Sequence, residues 1–445
     1  MAIPLPAAAD PLTAAWPEGA RRTTRLVLLL CWLAILTEGY DVGVLGAVLP
    51  ALATEAGWNL TPIGLGALGS YTVVGMLIGG LLVGTLSDLY GRKPLFVACL
   101  SLFTLCMAAT AMAPSPFVFG LFRLVAGLGL GGIIPIAAAL TVEYSPAHRR
   151  SLNYGLMYSG YSLGILTAAV VGRWLLPEHG WRPVVLVGAL PILIVPLMLW
   201  LLPESLEFLV EKGRTAKASR LAARLGLPVP APRAKVGEPI GWRAILGEIF
   251  ASQNARATIA FWTALFMGLL LVYGLGQWLP QIMRRSGYDL GDSLLFLAVF
   301  SFTSAIGGIL LGRLADRFGV RRTVVLTYLV GAAGIAALSL QGSIWMNYAF
   351  VAVAGFGSVS SSLILTGYLA QYLSPRVRAG GTGWALSFAR IGAFCGPLLG
   401  GYVAALGVDP AWNFYAFALV GLIAALATAA IPGRRGAAAR DGRRT

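Results

Sequence analysis

Long apolar runs separated by short polar breaks extend along almost the whole chain. Two of them, Leu26 to Leu36 and Val184 to Leu202, contain no charged residue. A run of about 20 mainly apolar residues spans the hydrocarbon core of a bilayer as a helix, because lipid offers no partner for backbone polar groups. The pattern therefore predicts an all-α protein whose helices cross a membrane.

Twelve such runs divide into two sets of six. The predicted spans are 24–49, 63–84, 94–112, 117–142, 152–173, 182–202, 257–280, 293–312, 322–341, 345–371, 379–404 and 411–432. The expected parts are an N-terminal tail at 1–23, a six-helix bundle at 24–202, a central loop at 203–256, a second bundle at 257–432 and a C-terminal tail at 433–445.

Composition supports the same class of protein. Of the 445 residues, 58% are hydrophobic and only 11% are charged, whereas a soluble domain carries about 25% charged residues. A soluble enzyme of this length could not cover its surface with so few ionic groups. The first twenty residues are rich in Ala and Pro and lack the basic and apolar regions of a signal peptide, so they indicate a short disordered cytosolic tail.

The net charge of +15 has a pattern that indicates topology rather than nucleic-acid binding. Of the 33 Lys and Arg residues, 27 fall in the two tails, the central stretch and the breaks after spans 2, 4, 8 and 10. Basic residues are retained on the cytoplasmic side of short loops. Both termini are therefore expected in the cytoplasm of a bacterial-type cell, with the chain in the inner (plasma) membrane.

Cysteine and histidine usage predicts neither a metal site nor a cofactor. The four cysteines all lie in apolar runs without CxxC spacing, and His148 and His179 lie in polar breaks. Small apolar packing residues are the ordinary use of such cysteines. No Cys/His or Ser/His/Asp grouping occurs within the spans, so no enzyme activity is expected.

One motif occurs twice, at the same place in each half. Gly84-Thr-Leu-Ser-Asp88-Leu-Tyr-Gly91 follows span 2, and Gly312-Arg-Leu-Ala-Asp316-Arg317-Phe-Gly319 follows span 8. Both copies have the pattern G-x-L-x-D-x-x-G and precede basic residues. Duplicated halves related by an axis along the membrane normal are a known plan of transporters, so the repeat predicts two pseudo-symmetric bundles.

With these motifs the chain resembles the major facilitator superfamily over nearly its whole length beyond the first twenty residues. Within it, the chain is most similar to the aromatic acid:proton symporters. The residues that carry this second resemblance are Glu38-Gly-Tyr-Asp41, Arg123 with Gly127, Gly129, Gly131, Gly132 and Pro135, Glu143-Tyr-Ser-Pro-x-x-Arg149-Arg150, Trp278-Leu-Pro280, Arg376-x-Arg-x-Gly-Gly-x-Gly383-Trp384, Arg390-x-Gly392 and Gly396-Pro397. Glu38 stands where that group usually has Asp, which retains a carboxylate. The resemblance implies the major facilitator fold and transport of an acid with protons.

Three ionisable residues of the first half are expected to meet inside the membrane. Glu38 and Asp41 are three residues apart and share a helix face, roughly 21 and 25 Å from the start of span 1. Arg123 lies roughly 10 Å from the opposite end of span 4, at a similar depth. Buried charges are costly and usually functional. We expect the three residues to couple transport to protons, with Asp41 as the main proton carrier and Glu38 as its partner; a static ion-pair network is the structural alternative.

Arg390 lies in the second half, with no acidic residue expected at its depth. A buried guanidinium requires an anion, and its planar fork fits a carboxylate, so Arg390 is predicted to bind the carboxylate of a substrate. The alternative is that helix-end carbonyls satisfy it. Further candidates for contact with a substrate ring are Tyr40, Gln277, Trp278 and Trp384, and more weakly Tyr71, Tyr273 and Phe302, although aromatic residues in membrane helices more often pack or anchor at interfaces.

Charged residues at the cytoplasmic ends of the spans are candidates for gating. They could form networks that break when the two halves rock, or they could be ordinary solvated loop ends. The candidates are Asp88, Arg92, Asp316, Arg317, Glu143 and Arg149.

The leading hypothesis is proton-coupled uptake of a small organic acid by alternating access. Among such acids, an aromatic one is favoured. Its expected partners are the carboxylate substrate, protons and the bilayer, and one chain suffices for a pathway as a monomer. Proton-coupled transport of a non-aromatic metabolite or a sugar stays open, as does drug efflux. Efflux antiporters of this superfamily tend to carry Gly-Pro in span 5, but here Gly396-Pro397 lies in span 11. A receptor would need a signalling domain, which the central stretch is too short to hold.

Overall fold

A computed structural model describes residues 18–146, 149–225, 227, 229, 242–252, 254–340, 342–373 and 377–432. Within these residues the protein is helical throughout. Twelve helical segments are long and apolar enough to cross a membrane, so the prediction of an all-α membrane protein with twelve spans is confirmed.

The first half contains spans 1 to 6. Five of its spans are continuous helices, and the sixth is interrupted. The helices are α1 (Glu18–Leu52), α2 (Pro62–Tyr90), α3 (Arg92–Ala111), α4 (Pro116–Glu143), α5 (Arg150–His179), α6 (Trp181–Val187) and α7 (Ile194–Leu201). A short 3-10 turn at Leu190–Leu193 separates α6 from α7, where Pro191 removes a backbone donor from the helix.

The second half contains spans 7 to 12 as six helices. They are α11 (Ala255–Arg285), α12 (Leu290–Phe318), α13 (Val320–Ala337), α14 (Ile344–Tyr372), α15 (Arg378–Ala405) and α16 (Ala411–Ala430). The stretch expected to be a central loop contains three short helices, α8 (Leu206–Glu211), α9 (Thr215–Leu225) and α10 (Trp242–Ile249). Helix α9 forms there because its small apolar residues Ala218 and Ala222 lie on one buried face while its basic residues remain exposed.

The repeated motif makes the same helix break in each half. Gly91 ends α2 with a φ of 108°, and Gly319 ends α12 with a φ of 89°. Only glycine adopts such positive φ values without a steric cost. The second glycine of each copy therefore lets the chain turn sharply from one span into the next.

The two halves meet through helix pairs α1–α11, α2–α15 and α5–α12. We call the face of the bundle where α1 begins and α16 ends the terminal face, and the other side the far face. Near the far face, the Ser70 hydroxyl donates to the Phe394 carbonyl oxygen at 2.8 Å, and a β-carbon at Gly66 would lie 2.7 Å from the Pro397 carbonyl oxygen. The halves are thus tightly packed against each other on the far face.

Candidate functional site

Helices α1 and α5 cross at glycines beside the predicted acids. A β-carbon at Gly39 would overlap the backbone of Tyr161, and one at Gly164 would overlap the backbone of Leu36. Glycine lets helix backbones approach this closely in a membrane. The crossing brings α5 directly against the segment of α1 that carries Glu38 and Asp41.

Asp41 and Arg123 form a buried ion pair within the first half. Arg123 Nη1 donates to Asp41 Oδ1, and their side chains are 2% and 1% exposed. Arg123 Nη2 also donates to the Asp41 carbonyl oxygen at 3.4 Å, while Nη1 lies 3.7 Å from Met107 Sδ. The pair joins α1 to α4.

Glu38 does not join that pair by a hydrogen bond. It is fully buried, and within the described part of the chain neither carboxylate oxygen has a hydrogen-bond partner. Its charged neighbours are Arg390, which attracts it, and Asp41, which repels it. Because Arg390 is on α15, Glu38 faces across from the first half to the second.

This arrangement corrects the expectation for Arg390. We expected no acidic residue at its depth, but Glu38 of the opposite half lies close enough to interact with its guanidinium. Depth along a helix does not show which side chains of the other half face Arg390, because that depends on the rotation of each helix about its axis. Arg390 is partly exposed, so it combines an acidic neighbour with access to a ligand.

Three tyrosines lie within electrostatic range of Glu38, and two of them are absent from the sequence-based candidates. Tyr158 and Tyr161 of α5 and Tyr273 of α11 all interact electrostatically with Glu38. Tyr273 also lies beside the first half, where its hydroxyl is 3.8 Å from Met76 Sδ. The available signal was the spacing of Tyr154, Tyr158 and Tyr161, which places three phenol rings on one helix face.

Two of the predicted substrate contacts are occupied in packing. The Tyr40 hydroxyl donates to the Val184 carbonyl oxygen at 2.7 Å within the first half. Trp278 is 1% exposed and packs against Gly400. Gly400 is ten residues beyond Arg390 on α15, or about 15 Å along the helix. Trp278 therefore belongs to the packing near the far face rather than to the group around Glu38.

The other two predicted contacts are separated from the Glu38 group. Gln277 lies against Gly69 of the first half, where its Oε1 is buried without a hydrogen-bond partner among the described residues. It is thus part of the packing that closes the far face. Trp384 is 40% exposed and precedes Arg390 by six residues, which places it on another side of α15.

The weaker aromatic candidates differ among themselves. Tyr273 joins the group around Glu38, as described above. The ring of Tyr71 packs against Gly120 of α4, and Phe302 is 52% exposed on α12.

An ionic network joins the terminal ends of several helices of the first half. Arg92 bonds Glu143 at 2.7 Å and Glu207 at 3.3 Å. Glu204 Oε1 accepts from the backbone N–H groups of Arg92 at 3.0 Å and Lys93 at 3.1 Å. Two of the predicted gating residues, Arg92 and Glu143, are therefore in direct contact.

Tyr144 extends this network. Its hydroxyl donates to the Glu204 carbonyl oxygen at 2.5 Å. Burial, with the nearby Glu143 and Glu204 carboxylates, raises the pKa of Tyr144 above its ordinary value, so this hydroxyl keeps its proton.

Two further gating candidates, Arg149 and Arg317, take no part in these contacts among the described residues. Arg149 is exposed. Arg317 is also exposed, and its guanidinium lies 5.4 Å from the centroid of the Phe318 ring. The side chains of Asp88 and Asp316 lie outside the described residues. At the position of Arg92, the second copy of the motif has Val320, so it lacks the same ion pair.

Fold and site together define a membrane protein of two six-span halves with an ionisable centre between them. The sequence matches the family model of the Major Facilitator Superfamily at residues 31–302 and 291–444. The chain belongs to this superfamily. The superfamily and the relatives of this chain are transporters rather than enzymes.

Relatives and solved structures agree with that assignment. The chain is 34% identical to the benzoate transport protein of Acinetobacter baylyi over 422 residues, covering 92% of this chain and 90% of the relative. It is 34% identical to the gallate transporter of Pseudomonas putida, covering 90% of each chain. A D-xylose–proton symporter has a similar fold, with a TM-score of 0.71 at 18% identity, covering 91% of this chain and 97% of that chain.

The close crossing of α1 and α5 leads to a first prediction. Gly39→Ala is expected to destabilise the protein by about 1–3 kcal/mol, because the new methyl group would press on the Tyr161 backbone. Gly155→Ala on α5 is the matched control, since a β-carbon there meets nothing within 4 Å. Thermal unfolding in detergent should separate the two variants; equal unfolding temperatures would contradict this account of the crossing.

Proposed function

We propose that this protein takes up an aromatic carboxylate together with protons by alternating access. The observation that carries the proposal is the electrostatic interaction of Glu38 with Arg390 across the two halves. The acid comes from the first half and the cation from the second, and no hydrogen bond among the described residues holds either Glu38 oxygen. The aromatic substrate class is supported by the relatives, which include a benzoate and a gallate transporter.

Competition for Arg390 would couple the proton to the substrate. A charged Glu38 attracts the guanidinium, and a substrate carboxylate arriving there would bring a second anion into a poorly solvated site. Two like charges at short range disfavour each other strongly where the effective dielectric is low. Protonation of Glu38 removes its charge and leaves Arg390 free to bind the substrate. Proton and carboxylate then occupy the site together.

Asp41 has a different role in this proposal. One of its oxygens is held by Arg123 inside the first half, so protonation of Asp41 would have to break that ion pair, whereas neither Glu38 oxygen has a hydrogen-bond partner among the described residues. We therefore assign proton loading to Glu38, although the sequence favoured Asp41. Asp41 and Arg123 would fix α1 against α4.

The orientation follows from the basic residues. We propose that the terminal face is cytoplasmic in an inner membrane, as the excess of Lys and Arg there indicates. The packed far face is then external, and the structure corresponds to an inward-facing state. The contacts of Arg92 with Glu143 and Glu207 would hold the first half rigid while the halves rock, and a single chain would be the functional unit.

Uptake of radiolabelled acids into proteoliposomes tests the function. We expect an inward proton gradient to drive accumulation of at least one acid from a panel of benzoate, hydroxybenzoates and gallate. Gradient-driven uptake of a sugar or an amine with no uptake of any aromatic acid would overturn the substrate class and leave the fold unaffected.

The carboxylate-binding role of Arg390 makes a separate prediction. Arg390→Gln is expected to raise the KM for the acid roughly tenfold to a hundredfold, because a hydrogen-bonded charged pair contributes about 1.5–3 kcal/mol. Arg390→Lys keeps the charge without the planar fork and should lie between this variant and the wild type. Arg284→Gln, which removes an exposed cation of α11, is the control. An unchanged KM in Arg390→Gln would exclude the role.

A further inference from the structure

Three tyrosine rings are stacked along one face of α5. The centroids of Tyr154 and Tyr158 are 6.2 Å apart with an interplanar angle of 23°. Those of Tyr158 and Tyr161 are 5.8 Å apart with an angle of 27°. The spacing of four and three residues along a helix places the rings one above another. We call these three residues the tyrosine ladder.

The ladder connects the centre of the molecule with its terminal side. Tyr161 is 4% exposed and lies at the crossing with α1. Tyr158 interacts with both Glu38 and Arg390. Tyr154 is 38% exposed and lies seven residues, or about 10 Å, closer to the terminal face. Exposure thus increases stepwise from Tyr161 toward the terminal face.

The outer end of the ladder is not enclosed by neighbouring helices. A ring that only filled space between helices would be buried, whereas Tyr154 keeps more than a third of its surface accessible. Beside it, a β-carbon at Gly155 would meet nothing within 4 Å, so open space adjoins this part of α5. A planar ligand has room to approach the helix next to the exposed ring.

We propose that the tyrosine ladder is a ring-binding path on which an aromatic acid moves between Arg390 and the terminal face. The inference deepens the proposed function and rests on it. Aromatic rings prefer offset-stacked contacts with centroids 4.5–7 Å apart, and successive ladder rings lie within that range of each other. A substrate ring leaving Arg390 exchanges contact with Tyr158 for contact with Tyr154 and is never without an aromatic neighbour.

The ladder would therefore select for aromaticity, while Arg390 selects for the carboxylate. Benzoate and cyclohexanecarboxylate carry the same charged group on rings of similar size, but only the first has a planar π-system. Arg390 treats the two acids alike, and stacking contacts favour benzoate. The selectivity of transport between these two acids isolates the contribution of the ladder.

The test compares exchange of the two labelled acids in proteoliposomes without a proton gradient. In Tyr154→Leu and Tyr158→Leu we expect benzoate exchange to slow about threefold to tenfold, with cyclohexanecarboxylate exchange changing less than about twofold. Tyr154→Phe and Tyr158→Phe restore the ring and should recover the benzoate rate lost in the Leu variants. Tyr402→Leu, on the exposed side of α15, is the control for removal of a tyrosine from the surface.

Each remaining outcome overturns the proposal. Equal slowing of both acids would make the ladder a packing element, and an unchanged benzoate rate would deny it any part in the path. Tyr154→Leu is the safer variant for folding because its ring is partly exposed, and it is sufficient for the test by itself. Failure of the proposed function is seen separately, since wild-type protein would then move neither acid.

Discussion

Glu38→Gln is expected to abolish accumulation of the aromatic acid against its gradient. The amide cannot release a proton, so the cycle no longer links the proton gradient to the substrate. Because a neutral side chain does not compete for Arg390, binding and exchange of the acid should continue. Wild-type binding should weaken as pH rises and Glu38 loses its proton, whereas binding to the variant should stay constant.

Two measurements check this prediction in the same proteoliposomes. Gradient-driven uptake should fall to the level of empty vesicles, and exchange of labelled for unlabelled acid should persist. Glu178→Gln, an exposed acid at the end of α5, controls for the loss of a carboxylate, and Glu38→Asp retains a titratable group at the site. If Glu38→Gln accumulates the acid at the wild-type level, a residue other than Glu38 must couple transport to protons.

Asp41→Asn should produce the largest loss of stability of any single charge neutralisation described here. Removing one partner of a buried ion pair leaves the other charge uncompensated, which costs about 3–5 kcal/mol. The guanidinium of Arg123 would remain in a site where its side chain is 2% exposed. The free energy of unfolding in mixed detergent micelles, followed by helical signal, measures the effect.

A double variant tests whether the stability is lost because the charge of Arg123 is left uncompensated. Combining Asp41→Asn with Arg123→Gln removes both charges, and we expect it to recover much of the lost stability. The exposed pair of Arg182 and Glu55, joined at 2.9 Å, is the control: Glu55→Gln should change stability by about 1 kcal/mol or less. If the double variant is no more stable than Asp41→Asn, the loss of stability does not come from an uncompensated charge on Arg123.

The pairing of Asp41 with Arg123 was predictable from the sequence, but the direction of Glu38 was not. Counting residues from the helix ends placed Glu38, Asp41 and Arg123 at similar depth, which made Arg123 a partner for either acid. Glu38 and Asp41 share a face only approximately, since three residues turn a helix by about 300°. That difference is enough for Glu38 to face α15 while Asp41 faces α4.

The aromatic candidates show where composition stops being informative. Tyr40, Trp278 and Tyr161 are all aromatic residues of apolar helices, and nothing in their immediate sequence ranks them. In the structure the Tyr40 hydroxyl donates to a backbone carbonyl and Trp278 packs against a glycine of α15. Tyr161 instead contacts the segment that carries Glu38. Rotation and crossing of whole helices decide these contacts.

The sequence by itself determined that this protein lies in a lipid bilayer, that it has twelve spans and an internal duplication, and that few ionisable residues lie inside the membrane. Those properties follow from local chemistry, because lipid admits long apolar helices and makes each buried charge exceptional. Only the tertiary structure decided that Glu38 interacts electrostatically with Arg390 of the other half, that three tyrosines form a ladder and that the halves are packed together on the far face. Each of these depends on how closely glycines let particular helices approach and on the rotation of each helix about its axis.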